Sequence, residues 1–241
     1  MGTIHFVLQG KGGVGKSLIA SLLYQYLHQQ GMAVSGVDTD PINSTFSGYK
    51  ELNIQPLNIM EGDDINQRRF DDLMEIILQL PENGHIVIDN GAATFLPLCC
   101  YLKDNNALHF LCSEGHEILL HTVITGGQAV VDTATGLKTL ATSFPNAPLV
   151  VWLNRYFGDI AMNGKVFEEF KVYQENCDKF RSIIEIPQRK QSTFGKDLED
   201  LLARRGTLES AINSNLPVMT RQRLKMFWSE VQKEIDKAQL V

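Results

Sequence analysis

Apolar positions along the chain follow two patterns. Predominantly apolar runs of strand length occur at 4–8, 32–37, 85–89, 117–124, 149–154 and 182–187. They lack the polar alternation of a half-solvated strand, which predicts strands covered on both faces. Between them the apolar residues take helical spacing. The first such segment carries Leu18/Ile19, Leu22/Leu23 and Tyr26/Leu27, and Gln30-Gly31 reads as its C-cap. A second, over 65–80, puts Phe70, Leu73, Met74, Ile77 and Leu78 on one face, led by Asp63-Asp64 and ended by Pro81 and Gly84. Short helices are expected at 94–103 and 105–113, a longer one up to Phe144, a mixed helix at 163–177 and a short edge strand at 57–60. Three more helices close the chain at 193–204, 207–214 and 218–238; the last has Leu224, Phe227, Trp228, Val231 and Ile235 on one face, which predicts packing against the sheet. Strands alternating with helices predict an α/β fold: a mostly parallel, twisted sheet with helices on both faces. No repeat or low-complexity linker interrupts the pattern, so a single domain over 1–241 is expected.

One polar stretch falls between the first strand and the first helix. Gly10, Gly15, Lys16 and Ser17 satisfy G-x-x-x-x-G-K-[ST] in the strand–loop–helix context that this pattern requires. Glycines let backbone N–H groups turn inward, and the helix N-terminus adds partial positive charge. Lys16 is expected to reach the β- and γ-phosphates of a nucleotide, and the Ser17 hydroxyl to ligate Mg²⁺.

Three carboxylates follow at strand ends, where ligands of parallel sheets bind. Asp38 and Asp40 end the second strand in Asp38-Thr39-Asp40-Pro41. A helix cap or Asx-turn before Pro41 would explain them without chemistry, but their place beside a phosphate loop favours a site. Asp89 ends the run at 85–89, the position from which a carboxylate supports Mg²⁺-bound water.

Lys11 is a second lysine inside the loop, redundant for gripping one nucleotide. The box Lys11-Gly12-Gly13-Val14-Gly15-Lys16-Ser17 resembles the deviant Walker A motif of the ParA/MinD family of P-loop ATPases. That resemblance implies a P-loop NTPase fold with ATP and Mg²⁺ as ligands, and a homodimer formed with ATP. Lys11 would cross to the partner's ATP, and Lys11, Lys16 and Asp40 would serve hydrolysis, with Asp40 acting on the attacking water. Gly12, Gly13, Val14, Gly15, Lys16, Ser17 and Leu18 would hold the nucleotide. Asn154, at the end of the fifth run, would read the adenine edge, with a turn asparagine as the equal alternative, and Ile186 and Pro187 would pack on the base. Ser17, Asp38 and Asp89 would form the metal site, Asp38 by supporting either the Mg²⁺ shell or the switch geometry. Asn90-Gly91-Ala92 takes the place of the family's second switch but lacks its prolines. Boxes at Asp38-Thr39-Asp40-Pro41, 87–92, 122–128 and Val151-Trp152-Leu153-Asn154 further resemble ParA-like proteins of plasmid conjugal transfer. This implies conjugation or DNA-transfer proteins as partners. The alternatives are a DNA-partition ATPase on nonspecific DNA and a metabolic ATP-dependent ligase of the same fold.

Composition adds exclusions. The formal net charge of −6 argues against a general nucleic-acid binder, although residues 181–241 carry 11 Lys and Arg against 8 Asp and Glu. No apolar stretch is long enough for a transmembrane helix. The last helix alternates lysines with Glu230, Glu234 and Asp236, a poor match for anionic lipid, so a membrane partner is not expected. No leader precedes the first strand and the four cysteines lack C-x-x-C spacing, so reduced thiols in the cytoplasm are expected. His121 lies in an apolar run and reads as a hydrogen-bonded core histidine.

Overall fold

The computed structural model describes residues 2–40 and 42–240, the side chain of Phe157 excepted; Pro41, at the end of the aspartate box, lies outside the described residues. In chain order the elements are β1 (Thr3–Val7), α1 (Lys16–Gln29), β2 (Val34–Asp38), β3 (Ile54–Pro56), β4 (Met60–Glu61), β5 (Asp64–Ile65), α2 (Arg69–Leu78) and β6 (His85–Asp89). Then come α3 (Phe95–Asp104), α4 (Ala107–Ser113), β7 (Glu117–Thr125), α5 (Val130–Ser143), β8 (Leu149–Asn154), β9 (Ala161–Met162) and β10 (Lys165–Val166). The chain closes with α6 (Lys171–Gln174), β11 (Phe180–Ile186), α7 (Lys196–Ala203), α8 (Leu208–Ile212) and α9 (Val218–Ala238).

Seven strands form one sheet in the order β11-β8-β7-β1-β6-β2-β3, every pair parallel. β1 is central, with β6 on one side and β7 on the other. The connections diverge there, which leaves a crevice beyond its C-terminal end. The strict alternation of β1 explains the two cores: Ile4, Phe6 and Leu8 join one apolar cluster with α2, α3 and α5, whereas Val7 faces the other, with α1 and α9. The last helix packs as its apolar face predicts. Leu224, Phe227, Trp228, Val231 and Ile235 are buried, and Trp228 Nε1 donates to Gln29 Oε1 of α1 at 3.0 Å.

Three segments differ from the sequence reading. The edge strand is Ile54–Pro56, paired to β2, and not 57–60; the neighbouring Met60–Glu61 and Asp64–Ile65 make a hairpin. Asp64 is therefore in a strand, and α2 starts only at Arg69, where Asn66 Oδ1 accepts the Arg68 N–H. The 163–177 stretch is a small hairpin, 3-10 turns and the four-residue α6; Asn163 and Gly164, both at positive φ, form its turn in place of a helix. At 191–195 a π-helical turn precedes α7.

The second core contains an unpredicted chain of polar contacts. Trp152 Nε1 donates to His121 Nδ1, His121 Nε2 meets His5 Nδ1 and His5 Nε2 meets His85 Nδ1, each at 3.0 Å. An indole only donates, so it forces each imidazole in turn into the neutral Nε2–H form. The expectation of a hydrogen-bonded core histidine at 121 is met within a row spanning four adjacent strands.

Candidate functional site

The loop from Gln9 to Ser17 wraps beyond the end of β1. Gly13 and Gly15 hold φ of +72° and +104°, conformations that side-chain-bearing residues rarely adopt, and Gly15 leads directly into α1. The free N–H groups of the first α1 turn therefore face the cavity. Lys16 is buried, and its Nζ donates to the Lys11 carbonyl at 2.8 Å, folded across the mouth of the loop. Burial lowers its affinity for a proton, while Asp89 and Asp40 pull the other way. Behind the loop, the fully buried Gln9 side chain donates to the carbonyls of Val123 and Thr133 and accepts the Gly10 N–H.

The carboxylates converge as their strand ends require. Asp38 and Asp89 are register partners on β2 and β6, and Asp89 in turn pairs with Val7 of β1. Asp89 is buried, and its Oδ1 has no hydrogen-bond partner among the described residues. Burial pushes its carboxyl up to about 7, against the opposing influence of the Ser17 hydroxyl and Lys16. An orphaned carboxylate oxygen beside a serine hydroxyl fits a hard divalent cation, which takes oxygen ligands. Asp38 is differently employed: its two oxygens accept the N–H groups of Asp40 at 3.0 Å and Ser47 at 2.8 Å, which shapes the 39–47 segment. Asp40 combines both sequence-level readings. Its Oδ1 accepts the Ile42 and Asn43 N–H groups, an Asx-turn, and its side chain also lines the cavity.

The cavity encloses about 640 Å³. It is lined by Gly12, Gly13, Gly15, Lys16, Ser17 and Leu18, by Asp40, Asn43, Thr45, Tyr49 and Ala92, by Asn154 and Tyr156, and by Glu199, Leu202 and Ala203 of α7. Lys11 is not among these residues. It lies in a neighbouring recess, paired with Asp132 of α5. Val14 is buried below the loop, and its carbonyl accepts a bond from Asn154 Nδ2 at 2.9 Å. Asn154 Oδ1 accepts the Tyr156 N–H, so this amide braces the loop. Ile186 is fully buried and does not reach the cavity, and Pro187 lines a separate recess beside Tyr156. Ile186 and Pro187 thus stand apart from the place expected for them, because β11 ends behind Tyr156.

Residues the sequence did not single out complete the site. Thr39 and Thr94 hydroxyls both donate to Asn90 Oδ1, at 3.1 and 2.7 Å, and tie the two switch-like segments together. Tyr156 and the α7 face carried no motif. At Gly126 a Cβ would lie 2.4 Å from the Asp159 carbonyl, so the glycine after β7 admits the chain's own backbone.

This geometry agrees with the comparisons to known proteins. Residues 5–234 match the CobQ/CobB/MinD/ParA nucleotide-binding domain. The chain belongs to that family. It is 49% identical over 240 residues to Protein TraL of Escherichia coli, covering 99% of both chains. Among solved structures it resembles the MinC:MinD cell division protein complex of Aquifex aeolicus, with a TM-score of 0.53 and 14% identity over 96% of each chain. It also resembles the septum site-determining protein MinD complexed with Mg-ADP from Pyrococcus horikoshii, with a TM-score of 0.50 and 17% identity over the whole of both chains. Family membership makes this a nucleotide-binding domain of the P-loop fold. No helix among the described residues is long and apolar enough to cross a membrane.

Proposed function

We propose that this protein is a Mg²⁺-dependent ATPase in which nucleotide controls the pairing of two copies, and that it serves plasmid conjugative transfer. The observation that carries the reading is the meeting in one cavity of the glycine loop, the α1 N-terminus and Lys16 with Asp40, next to the orphaned carboxylate of Asp89. Loop N–H groups and Lys16 bind the phosphates, with Lys16 exchanging the Lys11 carbonyl for phosphate oxygen. Ser17 and Asp89 hold the metal, and Asp38 keeps the neighbouring segment in shape. Bound there, Mg²⁺ would neutralise phosphate charge. Asp40 orients the attacking water. The Mg-ADP bound to the Pyrococcus MinD supports an adenine nucleotide with this ion.

Lys11 projects away from its own cavity, which suits a cation delivered to a second copy's nucleotide. The conjugation part rests on the likeness to TraL. DNA binding finds less support: the formal net charge is −6, and of the 11 Lys and Arg of the C-terminal quarter Arg189, Lys196, Arg223 and Lys237 are paired with carboxylates.

Calorimetry with ATP, with and without Mg²⁺, followed by sedimentation with a non-hydrolysable analogue, tests the nucleotide and pairing parts. Mg²⁺-dependent binding and a monomer-to-dimer shift are expected. A chain that binds no nucleotide overturns the reading. Mating assays with a plasmid carrying Lys16→Ala test the biological part, and unchanged transfer would reject it.

A further inference from the structure

The two segments that bring Asp40 and Ala92 to the cavity are tied together by three polar side chains. Thr39, Asn90 and Thr94 are all buried, and none of them is among the residues that line the cavity. Asn90 Oδ1 accepts from the Thr94 hydroxyl at 2.7 Å and from the Thr39 hydroxyl at 3.1 Å, so both of its lone pairs are used. Asn90 Nδ2 donates to the Gly91 carbonyl at 2.9 Å, and the Thr94 hydroxyl also reaches that carbonyl at 3.0 Å. Thr94 directly precedes α3 but makes no side-chain cap bond to the helix; its hydroxyl turns back to Asn90.

Asp40 is held between the ends of this knot. On one side its chain neighbour Thr39 donates its N–H to the Asp89 carbonyl at 2.9 Å, and the Thr39 hydroxyl is shared between that carbonyl and Asn90 Oδ1, each at 3.1 Å. On the other side the Gly91 backbone packs on Asp40 itself: a Cβ at position 91 would lie 2.9 Å from Asp40 Cγ and 3.1 Å from its Cα. One buried amide therefore fixes both neighbours of the carboxylate.

We propose that Asn90 is a positioning residue for hydrolysis: with Thr39 and Thr94 it fixes where the Asp40 carboxylate meets the attacking water, and it takes no part in holding the nucleotide. This rests on the nucleotide reading above and deepens it. Turning the Asn90 amide would leave two buried hydroxyls and its own oxygen unpaired, so the knot is stiff. A group that orients water acts through its exact placement, and a displacement of about 1 Å can cost about a hundredfold in rate. Phosphate binding through the loop N–H groups and Lys16 does not pass through these three side chains.

Setting hydrolysis against binding tests this. ATP affinity and stoichiometry, by calorimetry, and single-turnover hydrolysis are measured in Mg²⁺ on the full chain. Thr94→Val and Thr39→Val each remove one hydroxyl at nearly constant shape. Each should bind ATP within about twofold of the wild type, at full stoichiometry, and hydrolyse it about ten- to a hundredfold more slowly. Thr94→Ser and Thr39→Ser, which return the hydroxyl, should recover the rate. Gly91→Ala keeps the side chains of the knot and presses on Asp40 directly, so it should show the same split between affinity and rate. Valine variants with the wild-type rate, serine variants as slow as the valines, or affinity and rate falling together overturn the positioning role. An Asp40→Asn protein that hydrolyses ATP as the wild type does, or a wild-type chain that binds no ATP, overturns the nucleotide reading on which the proposal rests.

Discussion

Lys11 Nζ lies 2.8 Å from a carboxylate oxygen of Asp132, so the extra lysine of the phosphate loop is held by its own chain on the flank of the cavity. The two side chains remain 45% and 52% exposed, and an exposed ion pair contributes at most about 1 kcal/mol. The contact is therefore weak enough to exchange. Lys11→Ala should bind ATP almost normally, remain monomeric with a non-hydrolysable analogue and lose hydrolysis. Asp132→Asn should leave ATP affinity unchanged and alter dimer affinity by less than about fivefold. Sedimentation of both variants decides this, and an ATP-dependent Lys11→Ala dimer with full turnover would exclude a role across the interface.

Lys16→Ala should abolish nucleotide binding. Its ammonium is the buried cation at the mouth of the loop, and burial has already removed much of its water. Calorimetry with ATP and ADP checks this, and wild-type affinity would shift phosphate recognition to the backbone alone.

Asp40 requires two substitutions, because it both caps a turn and faces the cavity. Asp40→Asn keeps an oxygen for the Ile42 and Asn43 N–H groups and removes the charge, whereas Asp40→Ala removes both. If the charge matters for chemistry, both variants bind ATP and both lose single-turnover hydrolysis. A fully active Asp40→Asn with an impaired Asp40→Ala would reduce the residue to a turn former.

The imidazole row predicts acid sensitivity in the sheet itself. Burial holds His121 down to about 3, and His5 and His85 are also depressed, His5 further by its two neighbours. These folded values lie below the unfolded histidine value of about 6.5. The unfolded chain therefore takes up protons first on acidification, and the stability present above pH 6.5 is lost as pH falls from there toward 3. Tm should hold between pH 7.5 and about 6.5 and fall from there to pH 4.5. His121→Gln, which does not titrate, should flatten part of the slope; an identical slope would place the acid-sensitive groups elsewhere.

The parallel sheet, the phosphate loop and the strand-end aspartates were legible in the sequence because each follows from a local pattern. Apolar runs of strand length mark covered strands, and the glycine spacing specifies a backbone path. Where tertiary contacts decided, the sequence was silent. Nothing local distinguishes Ile54–Pro56 from 57–60 as the edge strand, since pairing with β2 selects it. Asn154 ends its strand as expected, but the nearness of the Val14 carbonyl, 140 positions away, determines what its amide binds. Tyr156 and α7 reach the cavity only because α9 and the π-helical turn hold them there, and no motif encodes that approach. The histidine row is equally nonlocal: His5, His85 and His121 lie on three separate strands.

Gln9 has a mechanical consequence. One buried amide joins the start of the phosphate loop to the backbone of β7 and to the first turns of α5, and Gly136 leaves it room, since a Cβ there would lie 1.8 Å from the Gln9 oxygen. Cradle and α5 thus behave as a single rigid jaw. The opposing 42–47 segment is exposed at Ile42, Asn43 and Ser44 and is fastened both by the oxygens of Asp38 and Asp40 and by the fully buried Phe46, which packs on Tyr24. The consequence is a difference in bracing: the jaw that carries Lys11 and Asp132 is tied to two elements by one buried amide, whereas on the aspartate side only the 42–44 turn stands clear of the core.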